Sequence, residues 1–237
     1  MRAATRLLLA GLVFFILLLP LFAPPFTRAG DFSRPDELVI KSEAVLRSFL
    51  ADPNMQWLRN NINRAQGIFI VPQMLRGGFF IGGSGGSGAL LAKNFNTGTW
   101  SYPAFYTMGS VSFGLQIGAD VSEIVLMVMS SKGMQAMLST EFKLGGDVAI
   151  AAGPVGASAK AQLADVLAFG RAKGAFVGIA VDGAVVAPRY EWNTAYYGKD
   201  VLLADLLVNQ TVSNPQADNL RKVLPEQPRN AKSLGSK

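Results

Sequence analysis

The chain has 237 residues, half of them apolar, and it contains no cysteine and no histidine. This composition excludes disulfides, thiol nucleophiles, imidazole bases and zinc fingers, and most hydrolase triads and transition-metal sites need one of those groups. Charged residues make up 16% of the chain, against about 25% in typical domains. We therefore expect a globular protein without a cofactor, in which catalysis would have to rely on carboxylates, lysine or tyrosine.

The N-terminal segment has the organisation of a secretory signal peptide over residues 1–29. Arg2 and Arg6 precede an almost unbroken apolar run over 7–19, and small residues at a cleavage motif over 27–29 come before Gly30. The alternative is an uncleaved anchor, because 7–23 reaches the lower limit of length for a membrane span, although Pro20 interrupts it. We expect cleavage and a periplasmic or envelope location.

Removal of residues 1–29 would lower the net charge from +6 to +3, because that segment holds three basic residues and no acidic one. This mild basicity suits an anionic membrane surface and is too weak to indicate nucleic acid.

Helices are predicted at both ends of the remaining chain and strands between them. Residues 36–50 have apolar side chains at helical spacing. Asp52-Pro53 ends this helix and begins a shorter one. Strands are predicted over 67–72, 78–81, 115–122, 124–129 and 147–152, with three more strand-like runs in 164–188, where Asp182-Gly183 predicts a hairpin turn. Further helices are predicted over 131–140, over 199–209, and from Pro215, with Ser213 or Asn214 as its cap.

This order of elements predicts the α+β class. We expect a glycine-rich, mainly antiparallel sheet that curls toward a barrel or a sandwich, flanked by N-terminal and C-terminal helices. No linker interrupts the middle of the chain, so residues 30–224 are predicted to form a single domain, followed by a flexible polar tail over 225–237.

A glycine cluster lies between two of the predicted strands. Gly83, Gly85 and Gly88 have the GxGxxG spacing of a nucleotide-binding loop. No amphipathic helix begins at Gly88 and no acidic residue follows at the required distance, so the context does not support a nucleotide site. Glycines here are better explained by sharp bending or by close approach of another backbone.

Six short motifs, in order, resemble the SYLF domain family. The matching residues are Ala65-Gln66-Gly67-Ile68 with Val71-Pro72, Gly77-Gly78-Phe79 with the glycines to Gly88, Trp100-Ser101 with Pro103 and Phe105, Gly114-Leu115-Gln116-Ile117-Gly118, Lys173-Gly174-Ala175-Phe176-Val177-Gly178, and Asn193 with Tyr196-Tyr197-Gly198. The resemblance covers roughly residues 36–208.

The resemblance implies phospholipid binding, a membrane-contacting amphipathic segment near the N-terminus of the domain, and no established catalysis. It also implies actin binding through basic residues in some fungal members. This chain lacks an obvious lysine cluster, and its predicted export would separate it from actin. The phosphoinositide preference of eukaryotic members is not carried over, because bacteria generally lack these as main lipids.

Eight residues are the candidates for lipid or membrane contact. Met55, Trp57 and Leu58, with Arg59 and Arg64, would place apolar and cationic groups at a headgroup boundary, and Arg171, Lys173 and Arg189 would hold a lipid phosphate. The alternatives are that Trp57 and Leu58 pack on the sheet and that the second group consists of solvated turn charges.

Three functions remain open from the sequence. The first is a phospholipid-binding module of the cell envelope that binds anionic lipid or a membrane surface without catalysis. The second is a structural or protein-interaction module of the envelope. The third is a lipid-modifying enzyme using carboxylates or lysine, but nothing in the spacing of Asp147, Asp165 and Asp182 brings two of them together.

Overall fold

The computed structural model describes residues 34–78, 81–113, 118–153, 164–172, 175–176 and 181–226. The predicted signal peptide, residues 227–237 of the predicted tail, and the candidate Lys173 lie outside the described residues.

Helices and strands follow one another as the sequence predicts, in the order helices, strands, helices. The helices are α1 (Pro35–Ala51), α2 (Gln56–Asn61), α3 (Ser131–Met137), α4 (Tyr190–Tyr197), α5 (Leu203–Leu207) and α6 (Asp218–Val223), with 3-10 turns at Pro53–Met55, Ile62–Arg64 and Pro215–Ala217. The strands are β1 (Gly67–Gly78), β2 (Ile81–Ala92), β3 (Ala104–Phe113), β4 (Gly118–Val128), β5 (Phe142–Lys143), β6 (Ile150–Ala152), β7 (Val166–Ala172), β8 (Ala175–Phe176) and β9 (Val185–Pro188).

The strands form one curled sheet in the order β5-β9-β3-β2-β1-β4-β7-β6, with β8 beside β7. The pairing is antiparallel except between β6 and β7. This confirms the predicted α+β class with a mainly antiparallel sheet. Within the described ranges the sheet is open, with β5 at one edge and β6 at the other.

Both faces of the sheet are buried along the first half of the long strands. In β1, Ile68 and Ile70 contribute to a core cluster with α1, α2, α4 and α6. The intervening Phe69 and Val71 contribute to a second cluster with α3, α5, β5 and β9. Burial on both faces explains why the sequence is continuously apolar over 124–128, since no residue there points to solvent.

Several element boundaries differ from the predictions. Pro72 does not end β1, because the pairing register shifts around it, between Ile70 and Leu75, and such an irregularity tolerates a proline. The predicted strands over 115–122 and 124–129 are one strand, β4, although 114–117 lie outside the description. The helix predicted over 199–209 is reduced to Leu203–Leu207.

Helix α4 was not predicted as a helix. The helix is short and its apolar residues face a neighbouring helix and the sheet, so its sequence has weak periodicity. It ends at Gly198, whose φ of +66° favours glycine. The predicted cap of the last helical segment is confirmed as Asn214, whose side chain accepts a hydrogen bond from the Gln216 amide.

The glycine cluster lies inside β2 rather than in a loop. Gly83, Gly85 and Gly88 are therefore strand residues, and no strand–turn–helix unit is present around them. Packing requires glycine at two positions. A Cβ at Gly88 would lie 2.4 Å from the Phe69 ring, and one at Gly86 would lie 2.5 Å from the Gln73 carbonyl oxygen. At these positions the close approach of a neighbouring strand and ring explains the residue type.

Candidate functional site

The apolar membrane-contact candidates of the sequence lie in the core. Met55 and Leu58 are fully buried in the cluster beneath α1. Trp57 is partly buried, and its ring stacks on Phe169 of β7, with 6.0 Å between ring centroids. In this conformation Met55 and Leu58 present no surface to a membrane, and the alternative of packing on the sheet describes the geometry of all three residues.

The two exposed arginines of this segment have local partners. Arg59 donates from Nη1 to the carbonyl oxygen of Leu50, at 2.6 Å, in the last turn of α1. Arginine at this position satisfies a helix-terminal carbonyl and complements the negative end of the helix dipole. Arg64 donates to the side chain of Asn61, at 3.2 Å. Both guanidinium groups remain exposed to solvent.

Arg171 is held by several groups at once. Its Nε and Nη2 donate to Oε2 of Glu123 at 3.0 and 2.5 Å, and Nη2 also donates to the Ser48 hydroxyl at 2.8 Å. Nη1 lies 3.8 Å from the Asp52 carboxylate, and the guanidinium carbon lies 5.0 Å from the centre of the Phe49 ring. With 15% of its side chain exposed, Arg171 joins β7 to β4 and α1. It is neither a solvated turn charge nor an unpaired phosphate ligand.

Arg189 connects β9 and α4 to the middle of the sheet. Its Nη1 donates to the buried Ser87 hydroxyl at 2.8 Å, and its guanidinium carbon lies 3.5 Å from the centre of the Trp192 ring. Arg171 lies in β7 and Arg189 lies between β9 and α4, and each is held by different partners. The described residues among the eight candidates do not converge on one site.

The sheet face that packs against α1, α2, α4 and α6 also carries, beyond α1, a surface that no described helix covers. Two rows of cross-strand neighbours form it: Val185, Gly109, Gly85, Leu75 and Val121 in the first, and Val111, Gly83 and Gly77 in the second. We call these eight residues the open face. Val111 is 71% exposed, Val121 44% and Val185 42%. Sequence reasoning missed this surface, although glycine at alternate positions of a strand was the available signal.

Three of the four glycines of the open face differ from those inside the core; at the fourth, Gly109, a Cβ would lie 3.1 Å from the Ser84 carbonyl oxygen. A Cβ placed on Gly77 or Gly85 would meet nothing within 4 Å, and one on Gly83 would make only an ordinary contact at 3.6 Å. Packing within the described chain therefore does not require glycine at these positions. Since glycine weakens a strand interior, these residues leave room for something that approaches the backbone closely.

A cleft of about 520 Å³ adjoins the open face where α1 crosses it. Its walls are α1 on one side and β1, β4 and β7 on the other; the lining residues are Lys41, Ala44, Val45, Pro72, Gln73, Val121, Glu123 and Arg171. Val121 belongs to both the cleft and the open face, so the two surfaces are continuous.

The charges in the cleft are balanced internally. Arg171 is paired with Glu123 and Asp52, and Lys41 lies 3.9 Å from the Glu37 carboxylate. A phosphate entering the cleft would have to compete with carboxylates that already hold both cations. The cleft therefore favours neutral polar and apolar groups over an anion.

The aspartates considered for catalysis have structural roles. Asp165 accepts hydrogen bonds from the Ser130 hydroxyl and the Ala149 amide, and Asp147 accepts one from the Lys143 amide, so both carboxylates hold loops in place. In the described ranges, no three acidic side chains come together as metal ligands, and none of the helices has the length and apolar character needed to cross a bilayer.

The geometry thus defines an α+β domain with an open sheet face and an adjoining cleft. Comparison with known proteins identifies the family. The profile of the Ysc84 family, described as "Las17-binding protein actin regulator", matches residues 109–227, half of the chain. The chain belongs to this family, which confirms the resemblance seen in the sequence.

Relatives come from fungi and animals. Protein YSC84 of Saccharomyces cerevisiae is 31% identical over 78% of this chain and 42% of its own length. SH3 domain-containing protein PJ696.02 of Schizosaccharomyces pombe is 32% identical over 69% of this chain and 39% of its own. Human SH3 domain-containing YSC84-like protein 1 is 28% identical over 69% and 49%. The chain therefore spans less than half the length of these relatives.

Proposed function

We propose that the chain is a non-catalytic protein-interaction module and that the open face, with its adjoining cleft, is the docking surface. The observation that carries this proposal is a five-strand row that begins and ends with an exposed valine. Free space lies above Gly85 in this row and above Gly77 in the neighbouring row. Contiguous exposed apolar surface on a folded protein marks an interaction site. Strand glycines allow the backbone of a partner to come closer than any side chain would permit.

The electrostatics support a protein partner over an anionic headgroup at this site. The cations of the cleft are paired with carboxylates, whereas the polar groups that remain, such as the Gln73 amide, suit a peptide backbone. The family description names Las17 binding and actin regulation. From this description we infer for this chain only that its partner is a protein.

Site-specific photo-crosslinking in the natural host tests this proposal. A photoreactive residue replaces Val111 on the open face, and a matched probe replaces Leu202, which is 68% exposed and lies outside it. We expect a discrete protein adduct from position 111, suppressed by Val121→Asp, and none from position 202. Adducts of equal yield at both positions, or only lipid adducts at 111, would rule out the open face as a protein-docking surface.

A second candidate function is binding to an anionic phospholipid surface, as the sequence suggested. The observation that favours it is the exposure of the Arg59 and Arg64 guanidinium groups on one short segment. Co-sedimentation of the full chain with neutral and anionic vesicles, at low and moderate salt, tests it. Binding to anionic vesicles that weakens with salt and is lost in Arg59→Gln/Arg64→Gln would support it. Equal binding by the variant would exclude these residues as the contact.

We also propose that residues 1–29 direct export and that the mature protein is periplasmic or envelope-associated. The support is the order of Arg2, the apolar run over 7–19 and the small residues before Gly30. Cell fractionation followed by N-terminal sequencing tests this. A cytoplasmic protein that keeps Met1 or Arg2 would contradict it.

A further inference from the structure

A row of polar side chains crosses four strands on the sheet face opposite the docking surface. Asp120 of β4 is the cross-strand neighbour of Arg76 in β1, Arg76 of Ser84 in β2, and Ser84 of Ser110 in β3. All four residues are partly exposed, so solvent reaches the row. We call these four residues the polar row.

The polar row borders the apolar core. Two residues toward the centre of the sheet on the same face, Met74 and Ser122 are cross-strand neighbours and are 3% and 4% exposed. Met108 lies two residues before Ser110 in β3 and is fully buried. The charged groups of the row therefore lie against a layer of low polarity, where electrostatic interactions are stronger than in water.

The hydroxyl groups of the row have each other as partners, whereas neither charged group has an ion-pair partner within the described part of the chain. The Oγ atoms of Ser84 and Ser110 are 2.8 Å apart. The Oδ1 atom of Asp120 is buried and accepts no hydrogen bond. Among the described residues, no ion pair within 4 Å joins Asp120 to Arg76, although the two are directly opposite on adjacent strands.

An adjacent arginine and aspartate that do not pair require an explanation. Opposite charges directly across two strands ordinarily attract each other, and a buried carboxylate oxygen without a donor is costly. Such a group in a native structure points to a bound water, ion or ligand. A single anion would satisfy Arg76 and repel Asp120, and a single cation would do the reverse. One ligand that carries both charges satisfies both residues.

We propose that the polar row binds a zwitterion that carries a phosphate and a primary ammonium group, the chemistry of phosphoethanolamine. The guanidinium of Arg76 binds two phosphate oxygens, a geometry that arginine favours, and the Ser84 hydroxyl donates to the phosphate. The ammonium group donates to the carboxylate of Asp120. The site lies on the other face from the docking surface and does not depend on a protein partner.

Calorimetric titration of the full chain with O-phosphoethanolamine tests the proposal, with inorganic phosphate and ethanolamine titrated separately. We expect the zwitterion to bind and each half to bind at least about tenfold more weakly, since each leaves one charge of the site unpaired. Arg76→Gln and Asp120→Asn should each weaken binding by about tenfold or more. The matched control Arg47→Gln removes an exposed arginine elsewhere, one paired only with Glu43 on α1 in the described structure, and should bind as the wild type does.

A second experiment, with lipid vesicles, identifies the source of the zwitterion. Phosphatidylcholine vesicles are compared with vesicles that also contain phosphatidylethanolamine, whose ammonium group retains N–H donors. Recruitment to the second kind alone, lost in Asp120→Asn, identifies a lipid headgroup. Binding of free O-phosphoethanolamine without such recruitment identifies a soluble ligand. Both results support the site.

Two results would overturn the proposed zwitterion site. Inorganic phosphate binding as well as the zwitterion, with no effect of Asp120→Asn, would reduce the row to a simple anion contact. No heat of binding at millimolar concentration, in protein whose thermal unfolding is intact, would mean that water satisfies Asp120.

Discussion

The guanidinium group of Arg171 and the carboxylate of Glu123 are joined by two hydrogen bonds to the same oxygen, at 3.0 and 2.5 Å. The pair links neighbouring strands β7 and β4, and Arg171 extends the link to α1 through the Ser48 hydroxyl. The sequence favoured a ligand or solvent for this arginine. Its actual partners hold a helix to a sheet.

Replacement of Arg171 should therefore lower stability. Arg171→Met keeps the side-chain bulk and leaves Glu123 and Asp52 without their cation, so we expect the free energy of unfolding to fall by about 2 kcal/mol. Urea unfolding followed by circular dichroism measures it. Arg64→Met, at an exposed site with one local hydrogen bond, should change stability by less than about 0.5 kcal/mol. Similar values for both variants would contradict a structural role for Arg171.

The two kinds of glycine in β2 should respond oppositely to the same substitution. Gly88→Ala forces a methyl group to within 2.4 Å of the Phe69 ring and should destabilise the protein by about 2 kcal/mol. Gly85→Ala enters open space and should leave stability unchanged or raise it by about 0.5 kcal/mol. Thermal unfolding of the Gly88→Ala and Gly85→Ala variants measures both effects. A large loss in Gly85→Ala would mean that the open face is packed against part of the protein itself.

The same glycine gives a test that separates docking from stability. Gly85→Leu places a large side chain on the open face, at a position where a Cβ would meet no described atom within 4 Å. We expect normal unfolding but reduced protein crosslinking from position 111, since the partner can no longer approach the strand. Unchanged crosslinking would show that the partner does not contact this row.

Asn193 fixes α4 to the sheet from a buried position. With 1% of its surface exposed, its Oδ1 accepts a hydrogen bond from the Phe105 amide at 2.8 Å. Asn193→Ala leaves that amide without a partner and should cost about 2 kcal/mol. Urea unfolding tests this, with Asn209→Ala as the control, because Asn209 is exposed and its side-chain amide donates to the Asp205 carboxylate. Equal effects would mean that Phe105 finds another acceptor.

Asp165 should make stability depend on acidity. Burial alone would raise its pKa, but hydrogen bonds from the Ser130 hydroxyl and the Ala149 amide, with the Lys132 ammonium 3.7 Å away, outweigh burial and hold the pKa below its usual 3.8. A depressed carboxyl pKa contributes stability that is present above the unfolded value and lost as the pH falls through the folded value.

The corresponding measurement is unfolding as a function of pH. The wild type should lose stability as the pH falls below about 4, whereas Asp165→Asn should be less stable at neutral pH and show a shallower loss in acid. Parallel curves for the two proteins would mean that Asp165 does not contribute to acid sensitivity.

The sequence by itself determined the class of fold and the family. Helical spacing over 36–50, the apolar runs of the strands and the caps near Pro215 depend on neighbours in the chain, so periodicity and local chemistry reveal them. The ends of the elements were predicted less accurately where strand pairing determines them. Pro72 would end an isolated strand, and only its two partner strands show how a register shift accommodates it.

Only the tertiary structure decided which residues are available for binding. Met55 and Leu58 have the composition of a membrane-contacting helix and yet are buried, because burial depends on the sheet beneath them rather than on their own segment. Arg171 finds partners 48 and 123 residues away. The open face and the polar row consist of residues from four or more strands, and their adjacency comes from cross-strand register, which no single stretch of sequence contains.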